Sequence, residues 1–273
     1  MYKGCEFNCK FCYINQVSRP NRNILRYLSH DIELAKALGL QYLPVMVSCS
    51  TDPFQPLESQ FQHTQRVLHE LVKNGFKLIV MTQNPAPLLR DVYINSLLQV
   101  PSVVEITVPS LNSGPKAKGI FNTLSPPVEE RFEKIKLLNK KGVSVRLRLD
   151  PIIPRLYENG PGQSEEEIWE IIKIASGIGV EMVISNVMVL TPDINMFTWR
   201  QLGSYYIANG IWKTDGPELR TYKLVLQSNI QEALLKPVYQ ACKEFSIPFC
   251  PCNSGINFNN AVSCVLKKKE ENE

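Results

Sequence analysis

Cys5, Cys9 and Cys12 lie within the segment from Tyr2 to Tyr13, spaced C-x3-C-x2-C close to the start of the chain. Three thiols at this spacing on a short loop can ligate three irons of a four-iron cluster and leave the fourth iron open to a small molecule. Structural zinc sites and fully ligated clusters close their shell with a fourth protein ligand. The next Cys or His after Cys12 is His30, so no fourth ligand stands nearby. Two other readings remain open at this point: half a zinc site completed from elsewhere, and a chance spacing among eight cysteines. Gly4 suits a tight loop before the first thiol, Tyr13 sets an aromatic after the last, and no matching zinc half-site stands out.

The bulk numbers exclude several classes. A chain of 273 residues suits one large α/β domain or two small ones and buries a substantial core. Its apolar fraction of 44% and charged fraction of 21% are ordinary for a globular protein. A net charge of +4 allows a nucleic-acid partner without arguing for one. No run of eighteen apolar residues exists, so no membrane span is expected. A thiol motif stands where a signal peptide would need an apolar stretch, so a cytoplasmic location is expected. In that setting eight cysteines read as metal ligands or free thiols rather than disulfides. The residues before Cys5 leave room only for a very short first strand, unless an N-terminal segment is missing.

The elements that must position these thiols alternate along the chain. Ser29 is expected to cap a helix over 31–38 that stops at Gly39. Strands are expected at 42–48, 76–81, 103–108, 143–149 and 181–185, and helices at 57–74, 85–98, 125–141 and 164–174. The last helix opens on a capping box from Ser164 to Glu167. Strands separated by helices of this length imply right-handed βαβ units and a mostly parallel sheet. About six units fit before residue 190, too few for an eight-unit barrel, so a partial (βα)6 barrel or an open doubly wound sheet is expected. Residues 191–216 read as an irregular insertion, 218–245 as helix, 247–250 as a last short strand, and 267–273 as a solvated tail. The expected division is a core over 1–190 and a mostly helical extension over 191–273.

A thiol loop of this spacing, followed by an aromatic and by βα units, resembles the radical S-adenosylmethionine (SAM) superfamily. The residues that carry the likeness are Cys5, Cys9, Cys12 and Tyr13. The stretch from Ser48 to Glu58, with Thr51-Asp52-Pro53 and Pro56-Leu57-Glu58, is similar to the spore photoproduct lyase and DNA-repair-photolyase-like subgroup. So are Glu130-Arg131 and the stretch from Arg148 to Pro154. The likeness covers roughly residues 2–190. It implies a partial barrel of the radical SAM type, a [4Fe-4S] cluster on the three cysteines, and SAM chelated by the open iron. It also implies a lyase-like enzyme that cleaves SAM reductively and uses the 5′-deoxyadenosyl radical to take hydrogen from a substrate, with damaged DNA, a peptide or a small metabolite all open. An electron donor such as a flavodoxin or ferredoxin is the implied partner. The competing reading is a non-catalytic zinc- or iron–sulfur-binding module acting on nucleic acid.

Further residues are candidates by position. Ser50, Thr51 and Asp52 follow a strand, where ligands bind in parallel sheets, and could accept the ammonium of SAM; the alternative is a simple Asp52-Pro53 turn. Thr82 closes the next strand, where the subgroup commonly carries Thr-Lys-Ser and this chain has Gln83 in place of Lys. Arg146 and Arg148 share one strand face and could meet the SAM carboxylate through paired hydrogen bonds; the alternative is a salt-bridged face. Tyr13 is expected near adenine. Cys49 aligns with the hydrogen-atom donor of spore photoproduct lyase, and the alternative for it is a small buried apolar residue. Cys242, Cys250, Cys252 and Cys264 could hold an auxiliary iron–sulfur cluster or stay unligated.

Overall fold

Five consecutive parallel strands carry the architecture: β3 (Val45–Val47), β4 (Leu78–Thr82), β5 (Ser102–Thr107), β6 (Val145–Ile152) and β7 (Val183–Val187). The sixth strand of the sheet is β10 (Phe249–Pro251), and the order is β10-β7-β6-β5-β4-β3 with every neighbouring pair parallel. Two short strands, β1 (Tyr2–Lys3) and β2 (Arg19–Pro20), pair antiparallel and bracket the thiol loop. A hairpin of β8 (Gly210–Thr214) and β9 (Tyr222–Leu226) lies apart from the main sheet. This computed structural model describes residues 1–14, 16–48, 50–214, 222–252, 254–259 and 261–264. Cys49 and the tail 267–273 lie outside the described residues.

Helices α1 (Ile24–Ala37), α2 (Glu58–Phe61), α3 (His63–Lys73), α4 (Asp91–Gln99), α5 (Val128–Lys140), α6 (Glu165–Gly177), α7 (Met196–Asn209) and α8 (Ser228–Glu244) complete the fold. Side chains alternate along a strand, so the two faces of the sheet differ. Val80, Val104, Ile106, Val145, Leu147 and Val183 join Leu68, Ile135 and Ile171 from the helices in one continuous core. The other face, inner in a partial barrel, carries Glu105 and Thr107 in register with Arg146 and Arg148. Arg148 is in register with Ile184, and Ile184 with Cys250, so the C-terminal thiols share that inner face.

Several expectations need correction. The six-stranded sheet is not complete by residue 190: its sixth strand comes from the C-terminal extension, and α8 covers it against α6 and β7. Of the stretch 191–216, the described part is not irregular: Thr198, Leu202 and Tyr206 recur at helical spacing and are buried along α7, and β8 follows it. Residues 222–226 are strand, with Leu224 and Leu226 buried on one side; strand alternation wins there over helix. Helix α1 starts at Ile24, and Ser29 lies inside it, donating to Leu25 O at 2.9 Å rather than capping. The 57–74 helix is two helices, broken at Gln62 with φ of 49°. At α6, Ser164 accepts from Glu167 N as expected, but the Glu167 carboxylate instead takes Ser110 Oγ and Leu111 N at 2.5 and 2.8 Å, tying the helix to the loop after β5. No helix among the described residues is long and apolar enough to cross a membrane.

Candidate metal centre

Backbone geometry forces the thiol loop into place. Gly4 has φ of +77°, and a Cβ there would come within 2.4 Å of Gln16 O and 2.7 Å of Val17 O. Only glycine fits a left-handed residue so close to another stretch of backbone. Gly4→Ala is expected to lose about 1–3 kcal/mol and to load less iron, read by urea denaturation and by iron counting after reconstitution. An unchanged midpoint with full iron uptake would show that the loop tolerates a side chain here.

Side chains then dock the loop onto the segment 52–58. Glu6 N donates to Gln55 Oε1 at 3.0 Å, Ser18 Oγ donates to the same oxygen at 2.6 Å, and Leu57 N donates to Glu6 Oε2 at 2.6 Å. Beneath them the Glu58 carboxylate is buried and accepts four hydrogen bonds. Two come from Tyr2 OH at 2.5 Å and Tyr93 OH at 3.2 Å. Two come from Thr64 N at 2.9 Å and Gln65 N at 3.1 Å, in the first turn of α3. A carboxylate at a helix N-terminus satisfies groups that the helix itself leaves open. Glu58 is thus the tether between the strand leading into the thiols and the helix behind them.

The thiols of Cys5, Cys9 and Cys12 line one cavity of about 130 Å³, together with Ser50, Thr51, Asp52 and Thr82. Cys9 is the most enclosed: Gln83 Nε2 donates to its sulfur at 3.2 Å, and Thr123 Oγ1 lies 3.1 Å from it. Ile14 N donates to Cys12 Sγ at 3.3 Å. Burial pushes all three thiols up, Cys5 to about 11, so a ligand that needs thiolates must displace protons to bind. Among the described residues no three His, Cys, Asp or Glu side chains converge on one metal ion. Three thiols spread round a cavity, with no fourth thiol or histidine among the described residues that line it, suit a multi-atom cluster better than a single cation.

Asp52 does more than make a turn. Its carboxylate accepts from Phe54 N at 2.9 Å, Thr82 Oγ1 at 2.7 Å and Gln83 N at 2.6 Å, joining the end of β3 to the end of β4. Burial still carries it up to about 6, because these hydrogen bonds offset only part of the desolvation. Behind Gln83 runs a directed chain. Arg131 Nη2 donates to Ser125 Oγ at 2.5 Å, Ser125 Oγ donates to Gln83 Oε1 at 3.0 Å, and the other end of that amide reaches Cys9. Burial pulls the Arg131 guanidinium down to about 10, so it keeps its charge at neutral pH and orients the chain toward sulfur.

The structure therefore unites Cys5, Cys9, Cys12, Ser50, Thr51, Asp52 and Thr82. Tyr13 is half exposed and does not line the cavity. Arg146 and Arg148 do not line it either. Both turn to the buried Glu105, at 3.7 and 2.8 Å, and Arg148 also pairs with Asp150 at 2.6 Å. Burial acts against the charge on Arg148, yet Asp150 and Glu105 together hold its pKa above the ordinary value. The sequence reading missed Gln83 as a partner of Cys9, Thr123 and Ser125 as its wall, and Glu105 as the acid between the arginines. Of the C-terminal cysteines, Cys250, Cys252 and Cys264 gather, whereas Cys242 lies on the buried face of α8 in the apolar core, where desolvation alone raises its pKa to about 12. Four-thiol ligation by that group does not fit this placement.

No family model matches the chain. A curated relative, the uncharacterized protein MJ0683 of Methanocaldococcus jannaschii, is 24% identical over 168 residues, which are 58% of this chain. The chain spans 60% of the length of that relative. Among solved structures, a spore photoproduct lyase variant with dinucleoside spore photoproduct superposes with a TM-score of 0.67 at 11% identity, covering 90% of this chain and 72% of that one. Another variant of that lyase, with bound AdoMet and the same dinucleoside, gives 0.65 with the same coverage. Streptococcus suis SuiB bound to S-adenosylmethionine gives 0.60 at 12% identity, over 95% of this chain and 52% of that one. With six parallel strands and a thiol loop at their carboxyl ends, this chain has the partial-barrel fold of the radical SAM enzymes.

Proposed function

We propose that the chain is a radical SAM enzyme in which Cys5, Cys9 and Cys12 hold a [4Fe-4S] cluster. The observation that carries this reading is the shared cavity: three thiols and the polar loop Ser50 to Asp52 face one space at the ends of β3 and β4. Strand carboxyl ends are where parallel sheets bind ligands. The bound group supplies one-electron reduction of SAM, which starts hydrogen abstraction from the substrate. Gln83 Nε2 and Ile14 N donate to ligand sulfurs, and such donors draw charge off thiolates and tune a cluster's potential. Ser50 and Thr51 offer oxygen acceptors to the SAM ammonium, while Asp52 fixes the loop through Thr82 and Gln83. The surrounding walls from Thr123 and Ser125 exclude water from Cys9.

Reconstitution without oxygen tests this reading. About four irons per chain and 5′-deoxyadenosine formed from SAM and dithionite are expected, and neither from the Cys5/Cys9/Cys12→Ala chain. Protein that binds its iron yet leaves SAM intact would rule the activity out. For the substrate we favour a thymine lesion in DNA, supported by the Ser48 to Glu58 stretch and by the dinucleoside photoproduct in the similar structures. In that case Cys49 is the hydrogen donor, and Cys49→Ala should still consume SAM while failing to return intact thymine.

A further inference from the structure

Three thiols outside the metal centre meet at the edge of the sheet. Cys250 lies in β10, Cys252 just beyond it, and Cys264 returns to them so that its Sγ is 3.8 Å from Cys252 Sγ. Cys250 also interacts with Cys264 through its side chain, which sets Cys264 between two potential partners. The returning segment is laid firmly against β10. Val262 N donates to Phe249 O at 2.9 Å, Tyr239 OH donates to Asn259 O at 2.9 Å, and Tyr239 stacks on Phe258 with centroids 4.9 Å apart. Arg146 Nη1 donates to Cys264 O at 2.6 Å, linking this strap to Glu105 and Arg148 on the inner face.

The trio falls short of an ion site, since no three such donors converge among the described residues. Two sulfurs in contact suit a different chemistry. A disulfide brings sulfurs to about 2.05 Å, so bond formation needs a displacement of less than about 2 Å. Cys252 and Cys264 are both partly exposed, whereas Cys242 is 1% exposed. Small reagents thus reach the pair and not the core thiol.

We propose that Cys252 and Cys264 form a redox-active dithiol whose substrate is a low-molecular-weight disulfide of the glutathione type. One thiolate of the pair attacks the disulfide, forms a mixed disulfide and releases one small thiolate. The second protein thiolate attacks the mixed disulfide at the protein sulfur and expels the other small thiolate. Two protein thiols are oxidised, one small disulfide is reduced to two thiols, and the two protons pass to the departing thiolates through solvent. The product clips the strap to β10 and fixes the carbonyl that Arg146 holds. This inference does not depend on the proposed radical chemistry.

The test uses the full chain, purified reduced and equilibrated without oxygen over a range of reduced to oxidised glutathione, then alkylated and peptide-mapped. A Cys252–Cys264 linkage is expected at the oxidising end, absent from Cys252→Ser and from Cys264→Ser, and retained in Cys250→Ser. Hydrogen exchange in residues 254–264 is expected to slow in the oxidised form. Cys242 reports on folding, because its alkylation marks unfolded chain. The proposal is overturned if the two thiols stay reduced at the most oxidising ratio while Cys242 stays protected. It is equally overturned if Cys5/Cys9/Cys12→Ala retains zinc or iron that Cys252→Ser and Cys264→Ser lose.

Discussion

Glu105→Ala is expected to destabilise the fold by about 3–5 kcal/mol, the cost of breaking a buried ion pair from one side. Glu105 is 1% exposed and lies between the guanidiniums of Arg146 and Arg148. Removing it leaves Arg148 with Asp150, itself partly exposed, and leaves Arg146 with the Cys264 carbonyl and no carboxylate partner among the described residues. The Arg146 Nε already has no partner among the described residues, so the network has no spare acceptor to recruit. Glu105→Gln keeps the shape and should lose less than Ala. Replacing Glu105, Arg146 and Arg148 together by Met should recover much of the loss, because apolar groups of similar volume often substitute for buried ions. Equilibrium urea denaturation of the three variants decides the matter. An Ala variant within about 1 kcal/mol of the parent would mean that water reaches this face and screens it.

Glu58→Ala should cost on the order of 4 kcal/mol, since several buried donors lose their acceptor and each is worth about 1–3 kcal/mol when left unpaired. The donors are Tyr2 OH, Tyr93 OH and two N–H groups of α3. Its second effect is positional. Tyr2 lies three residues before Cys5, so without Glu58 the strand that delivers the thiols is released from α3. Reconstituted Glu58→Ala should therefore lose iron to a chelator several-fold faster than the parent, even at temperatures where circular dichroism shows it folded. Glu58→Gln keeps one carbonyl acceptor and should fall between the two. Equal iron retention in all three would confine Glu58 to a purely global role.

The βα rhythm was legible because buried parallel strands are apolar runs and the helices between them stop at glycine or asparagine; Phe76 to Met81 and Val103 to Val108 show this plainly. The thiol loop was legible because its chemistry lies in adjacent residues. What escaped depended on register. Glu105 sits opposite Arg146 only because β5 and β6 pair as they do, and no local pattern encodes that offset. Likewise Gln83 looked like a departure from the expected Lys, yet its amide reaches Cys9 across 74 positions. The last strand, Phe249 to Pro251, is too short to carry a period, so its place beside β7 is set by the cover from α8 rather than by its own residues.

The Cys9–Thr123 contact joins positions 114 apart, and this has a consequence for the order of assembly. Cys5, Cys9 and Cys12 are neighbours from the moment they are made, whereas Thr123, Ser125 and Arg131 reach them only when the middle of the sheet has closed. Contacts of such long separation form late. A growing chain thus presents its three thiols to water and oxygen well before it has a shelter for them. Iron and sulfide delivered after folding meet an enclosed, oriented ligand set, and those delivered earlier meet a flexible loop that any thiophilic ion can occupy. On the proposed assignment of the three thiols, the timing of metal supply, as much as the ligands themselves, decides which metal occupies them.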